Sequence, residues 1–171
     1  MNRPHLLSLP LFAALALTAP TSPAAPPDEA QLARGKAAYN TCAACHGVDG
    51  KGLPTTPPMA PSLIGSKLAT APSEIPITIV LKGIQKLDAK FLGVMAPLGS
   101  VMTDDQIADA LSYLRNSWGN KADAISPADV KAAREKFKDI NAPLPRAGYE
   151  KKAAKLEADA KAASAQPPAP K

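Results

Sequence analysis

An all-helical fold is predicted by three observations: helix-start signals near Asp28 and Thr103 each lead into an apolar stripe of helical period, no strand pattern competes, and Cys42-Ala43-Ala44-Cys45-His46 lies between them. C-x-x-C-H is the attachment signature of covalently bound haem. Two thiols separated by two residues reach the two vinyl groups of one porphyrin, and the adjacent imidazole is carried underneath to the iron. The sequence thus predicts short helices packed around one haem c per chain, held by Cys42 and Cys45 with His46 proximal. The composition agrees, because the 46% hydrophobic fraction is inflated by alanine and the whole chain has seven aromatics. A buried macrocycle would replace the missing side-chain core, so the apo chain is expected to fold poorly.

The elements follow in chain order. Residues 1–25 read as a signal peptide: a positive start to Arg3, an apolar run from Leu6 to Ala19, and small residues around Ala24. That run is shorter than the roughly 20 residues that span a bilayer. Asp28-Glu29-Ala30-Gln31 has the spacing of a capping box and predicts a first helix to about Asn40, with Leu32, Gly35 and Tyr39 on one face. The Gly offers a notch between two larger side chains. The haem motif ends this helical stretch and opens a loop in which Gly47, Gly50 and Gly52 supply backbone freedom. Ser73 is a plausible cap for Ile77, Val80 and Leu81, with a stop at Gly83. Thr103-Asp104-Asp105-Gln106 is a second capping box, and Ile107, Leu111, Leu114 and Trp118 form one stripe before Gly119.

Beyond the domain at 26–120, an additional helix is expected within 121–140, where Ser126-Pro127-Ala128-Asp129 starts a helix carrying Val130, Ala133 and Phe137. Residues 141–171 form an Ala/Lys/Pro-rich tail read as flexible: Tyr149 to Ala163 as an exposed or transient helix, the Pro-Pro-Ala-Pro end as disordered. Charge divides the chain at the same place. Asp28–Asn120 has eight acidic and eight basic residues, whereas Lys121–Lys171 carries a net charge of +4. A neutral domain argues against a nucleic-acid partner. The tail, or an uncleaved leader, is the only route to a membrane surface, and a partner-binding role for the basic tail is the sharper alternative to a solvated one.

Other readings of the motif are weaker. Zinc would lack a fourth Cys or His ligand, since the chain has two Cys and two His and His5 lies in the leader. A redox dithiol usually follows a strand in a βαβ pattern. Export suits haem attachment, and a periplasmic or secreted location is expected.

Residues from about Asp28 to Asn120, with CAACHG near the start and Tyr113-Leu114-Arg115-Asn116-Ser117-Trp118-Gly119-Asn120 at the end, resemble a class I monohaem cytochrome c domain. The terminal segment is similar to that of bacterial cytochrome c subunits serving dehydrogenases. The resemblance implies a small cytochrome c fold, its first and last helices crossing at Gly35 and Tyr39 against Leu111 and Leu114. It also implies a distal ligand in a Gly-Val-Met-Pro type of loop. Gly93-Val94-Met95-Ala96-Pro97 matches with an alanine inserted, which favours Met95. Met102, beside the Thr103 cap, is the fallback, and Met59 is placed near the proximal side. Pro61-Ser62-Leu63-Ile64-Gly65 resembles the segment whose proline carbonyl accepts a hydrogen bond from the haem-ligating His; alternatively Pro61 only shapes a loop.

Ligation by His46 and Met95 leaves one-electron transfer as the chemistry. The expected role is an electron-transfer protein, not an enzyme. It would accept electrons from a dehydrogenase, of quinoprotein type by resemblance, and pass them to a cytochrome or oxidase of the respiratory chain. The alternative is a five-coordinate or water-ligated haem protein acting as gas sensor or redox enzyme.

Overall fold

The computed structural model describes residues 26–86 and 90–165; the leader at 1–25, residues 87–89 and the end from 166 lie outside the described residues. Helix α1 (Glu29–Ala38) begins at the expected cap, Asp28 accepting a hydrogen bond from Gln31 N at 2.6 Å. The reciprocal half of the box is not made. Gln31 instead donates through Nε2 to the Ile125 carbonyl at 3.0 Å, fastening the helix to a segment far along the chain. At Tyr39 the chain turns directly into α2 (Asn40–His46), which carries the two cysteines and the histidine and stops at Gly47.

A one-turn helix α3 (Lys67–Thr70), capped by Ser66, was not expected, because four residues are too few for a period to register. In α4 (Glu74–Lys82) Ser73 precedes the helix but makes no side-chain cap. Pro76 is tolerated because its missing N–H falls in the first turn, where no helical partner exists. Helix α5 (Asp104–Arg115) has both halves of its capping box, at 3.2 and 2.9 Å. It ends four residues before the expected Gly119. Asn116 leaves helical geometry and donates through Nδ2 to the Ser112 and Ala122 carbonyls, while Trp118 takes a φ of 55°. Helix α6 (Pro127–Lys136) follows the Ser126 cap as predicted, and α7 (Arg146–Ser164) closes the chain. No strand occurs among the described residues, only isolated bridges of Ile84 with Met95 and with Leu144.

The crossing of α1 and α5 organises the main core. A Cβ built on Gly35 would lie 2.2 Å from the Asp109 carbonyl oxygen and 2.6 Å from Tyr113 Cβ, so the two backbones touch at the notch. The register thus differs from the expected one: Gly35 faces Asp109 and Tyr113, while Leu111 and Leu114 join Tyr39 in the core behind. Arg34 spans the same crossing with an ion pair to Asp109 at 2.8 Å. Tyr39, Tyr113 and Trp118 form an aromatic trio with centroids 5.2 to 5.8 Å apart.

Helix α7 is exposed from residue 157 onward, as composition suggests for Tyr149 to Ala163, but its first turns are anchored. Tyr149 and Ala153 of α7 are buried with Leu68, Ala71 and Ile75 in a second cluster, and Tyr149 Oη donates to the Gly83 carbonyl at 3.0 Å. One aromatic supplies an anchor that an Ala/Lys count conceals. Glu74 at the start of α4 adds ion pairs to Lys136 of α6 at 2.5 Å and to Lys152 of α7 at 2.6 Å. Burial alone would raise the Glu74 carboxyl pKa, but hydrogen bonds from the two lysines outweigh it and hold the value below normal.

A depressed folded-state pKa contributes stability above the unfolded carboxylate value, and this is lost as pH falls through the folded value. Glu74→Gln should therefore cost about 1 kcal/mol at neutral pH. Its deficit against the parent should shrink below about pH 4. Thermal melts of both proteins across that range check this; a deficit independent of pH contradicts it.

Candidate haem site

Helix α2 projects Cys42, Cys45 and His46 into a cleft. The rest of the lining includes Ile79 and Val80 of α4, Leu111 and Leu114 of α5, and Val94, Met95 and Leu98 of the loop before α5. The lining is predominantly apolar, as a macrocycle requires. The chemistry of the donors also fits haem. Two free thiols and one imidazole face the same space, and His46 Nδ1 lies 3.0 Å from the Pro61 carbonyl oxygen. That contact requires the hydrogen on Nδ1, which leaves the Nε2 lone pair free for a metal. Burial lowers the His46 pKa against the opposing effect of Pro61, so the ring is held in its neutral, ligating form.

The remaining readings of the motif lose ground on the same geometry. Burial, with Cys45 close by, pushes the Cys42 thiol up to about 11, the reverse of what a reactive dithiol needs. Among the described residues no group of three or more His, Cys, Asp or Glu side chains is arranged to hold a metal ion such as zinc.

The loop around the motif is clamped from the C-terminal end of the domain. Gly50, with a φ of 71°, lies under Trp118, whose ring would be 2.7 Å from any Cβ there. Asn120 is buried; it accepts from Gly65 N at 2.9 Å and donates to the Leu63 and Leu114 carbonyls. It thereby fixes the Pro61–Gly65 segment against the end of α5. Arg115 is also buried, donating to the carbonyls of Ala69, Ala71 and Asp123. Sequence reasoning assigned neither residue a role. A polar residue inside an apolar stripe was the available signal for Arg115, and Asn120 offered none.

Three methionines were candidates for the distal side. Met95 lines the cleft, and its loop is fastened by Gly93 N to the Met59 carbonyl at 2.8 Å, Ile84 N to the Met95 carbonyl at 2.9 Å, and Leu98 N to the Val80 carbonyl at 2.8 Å. Met102 is 6% exposed and belongs to the main core, away from the cleft lining. Met59 was expected near the proximal side. It lines the cleft but packs against the Met95 loop, its sulfur 3.2 Å from a Cβ built on Gly93.

The model of the cytochrome c family matches residues 32–118, just over half of the chain, from within α1 to the Trp118 clamp. The chain belongs to the cytochrome c family. It is an all-helical c-type cytochrome, an electron carrier that binds haem c covalently through Cys42 and Cys45. It is 34% identical over 101 residues to the gluconate 2-dehydrogenase cytochrome c subunit of Pantoea cypripedii, covering 56% of this chain and 22% of that one. It is 31% identical over 113 residues to the alcohol dehydrogenase (quinone) cytochrome c subunit of Gluconacetobacter polyoxogenes, covering 63% of this chain and 23% of that one. Cytochrome c-552 of Thermus thermophilus is 30% identical over 114 residues, with 61% of this cytochrome and 86% of that one covered. The matched region thus spans under a quarter of the two dehydrogenase subunits. Helix α6 and helix α7 lie beyond the part matched by the family model.

Proposed function

We propose that this cytochrome carries electrons with His46 and Met95 as axial ligands, receiving them in the periplasm from a dehydrogenase and delivering them to a respiratory cytochrome or oxidase. The observation that carries the ligand assignment is the placement of the methionines: Met102 is sealed in the core, and of the two in the cleft with His46, Met95 lies on the fastened loop before α5, whereas Met59 packs against that loop two residues from Pro61, the carbonyl partner of His46. Bound haem supplies a one-electron Fe(III)/Fe(II) couple, and a histidine with a thioether saturates the iron. The chain does the rest. Pro61 orients the imidazole, the apolar walls keep water out, and the three backbone bonds on the Met95 loop hold its thioether side of the cleft in place. Val80, Val94, Ala96 and Leu98 give that side an apolar surface, which disfavours a gas-sensing or catalytic pocket needing polar distal groups.

Val48, Leu92 and Val94 are exposed in the segments that carry the motif and the Met95 loop. An apolar rim of this kind suits the small, transient contacts of electron transfer. The names of two relatives, cytochrome subunits of gluconate and alcohol dehydrogenases, favour a sugar-acid or alcohol dehydrogenase as donor. Export rests on the leader read at residues 1–25; no helix among the described residues is long and apolar enough to cross a membrane. Mixing the oxidised cytochrome with a purified quinoprotein alcohol dehydrogenase or a gluconate dehydrogenase and its substrate should reduce the haem within a stopped-flow trace. Failure of both donors, with a normal haem spectrum, would refute this choice of partner class.

A further inference from the structure

Two cations stand at the rim of the haem cleft. Lys86 and Arg146 are the only charged side chains that line it among the described residues, and no carboxylate does. They come together through the backbone. Ile84 and Leu144 form a parallel bridge, extended by a hydrogen bond from Gln85 N to the Leu144 carbonyl at 3.0 Å, so Lys86 and Arg146 occupy matching positions two residues further on. Arg146 opens α7, whose docking is fixed by Tyr149. Its Nε donates to Glu150 at 2.8 Å, and its terminal nitrogens have no acceptor among the described residues.

The porphyrin carries its two carboxylates on the pyrroles that lack the vinyl groups. Tethering the vinyls to Cys42 and Cys45 on α2 therefore sends the propionates to the far rim. Cys42 packs with the main core, whereas Ile84 and Leu144, beside the two cations, pack with the second cluster.

We propose that the C-terminal extension completes the cofactor site, with Arg146 binding a haem propionate through its free guanidinium nitrogens and Lys86 flanking the pair. The inference rests on haem attachment and not on the choice of Met95. It makes α7 part of the cofactor cradle, so truncation after Asn120 would alter the haem as well as remove any docking arm. A planar, permanently charged guanidinium suits bidentate binding of a carboxylate. A cation held beside a propionate keeps it ionised and offsets its negative charge, which raises the reduction potential. Without Arg146, a propionate held there would be open to protonation from solvent coupled to reduction. The charged groups facing this position are Glu150 on α7 and Lys86, with the neutral imidazole of His46 in the same cleft; Asp88 lies outside the described residues.

The test is redox titration of the parent, Arg146→Met and Arg146→Lys holoproteins between about pH 5 and 9. Arg146→Met keeps the apolar stem and removes the charge; its reduction equilibrium constant at neutral pH should fall about tenfold, about 59 mV for a one-electron couple. It should also gain a pH-dependent segment absent from the parent, and Arg146→Lys should restore most of both. An unchanged Arg146→Met, or equal shifts in the two variants, would overturn the proposal; equal shifts would assign Arg146 to helix docking alone. If Arg146→Met does not accumulate, Glu150→Gln should raise the potential by removing the competing anion, and a fall or no change would count against the idea. The pyridine haemochrome of each sample reports covalent haem separately, so loss of the haem reading is distinguishable from loss of this one.

Discussion

Gly35→Ala should cost this cytochrome about 3 kcal/mol, and Gly35→Val should prevent accumulation of holoprotein. Ordinarily Gly→Ala inside a helix is favourable by up to about 1 kcal/mol, so the sign itself is diagnostic. The new Cβ would sit 2.2 Å from a backbone oxygen of α5 and 2.6 Å from Tyr113 Cβ, neither of which is the movable end of a side chain. Relief requires separating α1 from α5, which also strains the Arg34–Asp109 pair and the aromatic trio. Haem incorporation and guanidinium unfolding of the holoprotein report the effect. A Gly35→Ala protein within about 0.5 kcal/mol of the parent would show that the two helices do not need this contact.

The second large effect separates two methionines by opposite phenotypes. Met95→Ala should abolish the far-red Met-to-Fe(III) band, admit CO to the ferrous protein and lower the reduction equilibrium constant about a hundredfold, about 120 mV for one electron. The fold should survive, because Met95 is only partly buried in the loop before α5. Met102→Ala should do the reverse, keeping the band and the potential while losing about 2 to 5 kcal/mol as a core cavity opens. A Met102 variant lacking the band, beside a Met95 variant that keeps it, would transfer the ligand role and break the account of the cleft.

What was legible in the sequence was local. The Cys42–His46 spacing reports a covalent attachment within one helical turn, and the Asp28, Thr103 and Ser126 caps are side-chain bonds across three residues. Pro61 was readable only by resemblance, and the 3.0 Å contact to His46 places its carbonyl where that role needs it. Illegible features depend on long-range geometry. Asn120 reaches Leu63 and Gly65 across more than fifty residues, and Gln31 trades its local cap for Ile125. The tail misleads for a related reason: its composition is that of a solvated helix, and a single Tyr149 under α4 changes its fate. Position along the chain sets Met59 beside Pro61, but the backbone bonds from Leu92 to Pro58 and from Gly93 to Met59 that also tie it to the Met95 loop have no local signal.

In the proposed ligation, His46 and Met95 close the iron to everything except electrons. Optical spectra of the mature holoprotein, oxidised and reduced, with and without CO, test it most directly. A low-spin spectrum with the far-red band when oxidised, and no change on adding CO when reduced, is the expected result. A high-spin oxidised spectrum, with a reduced form that shifts under CO, would contradict it and move the protein to the class of open haem sites.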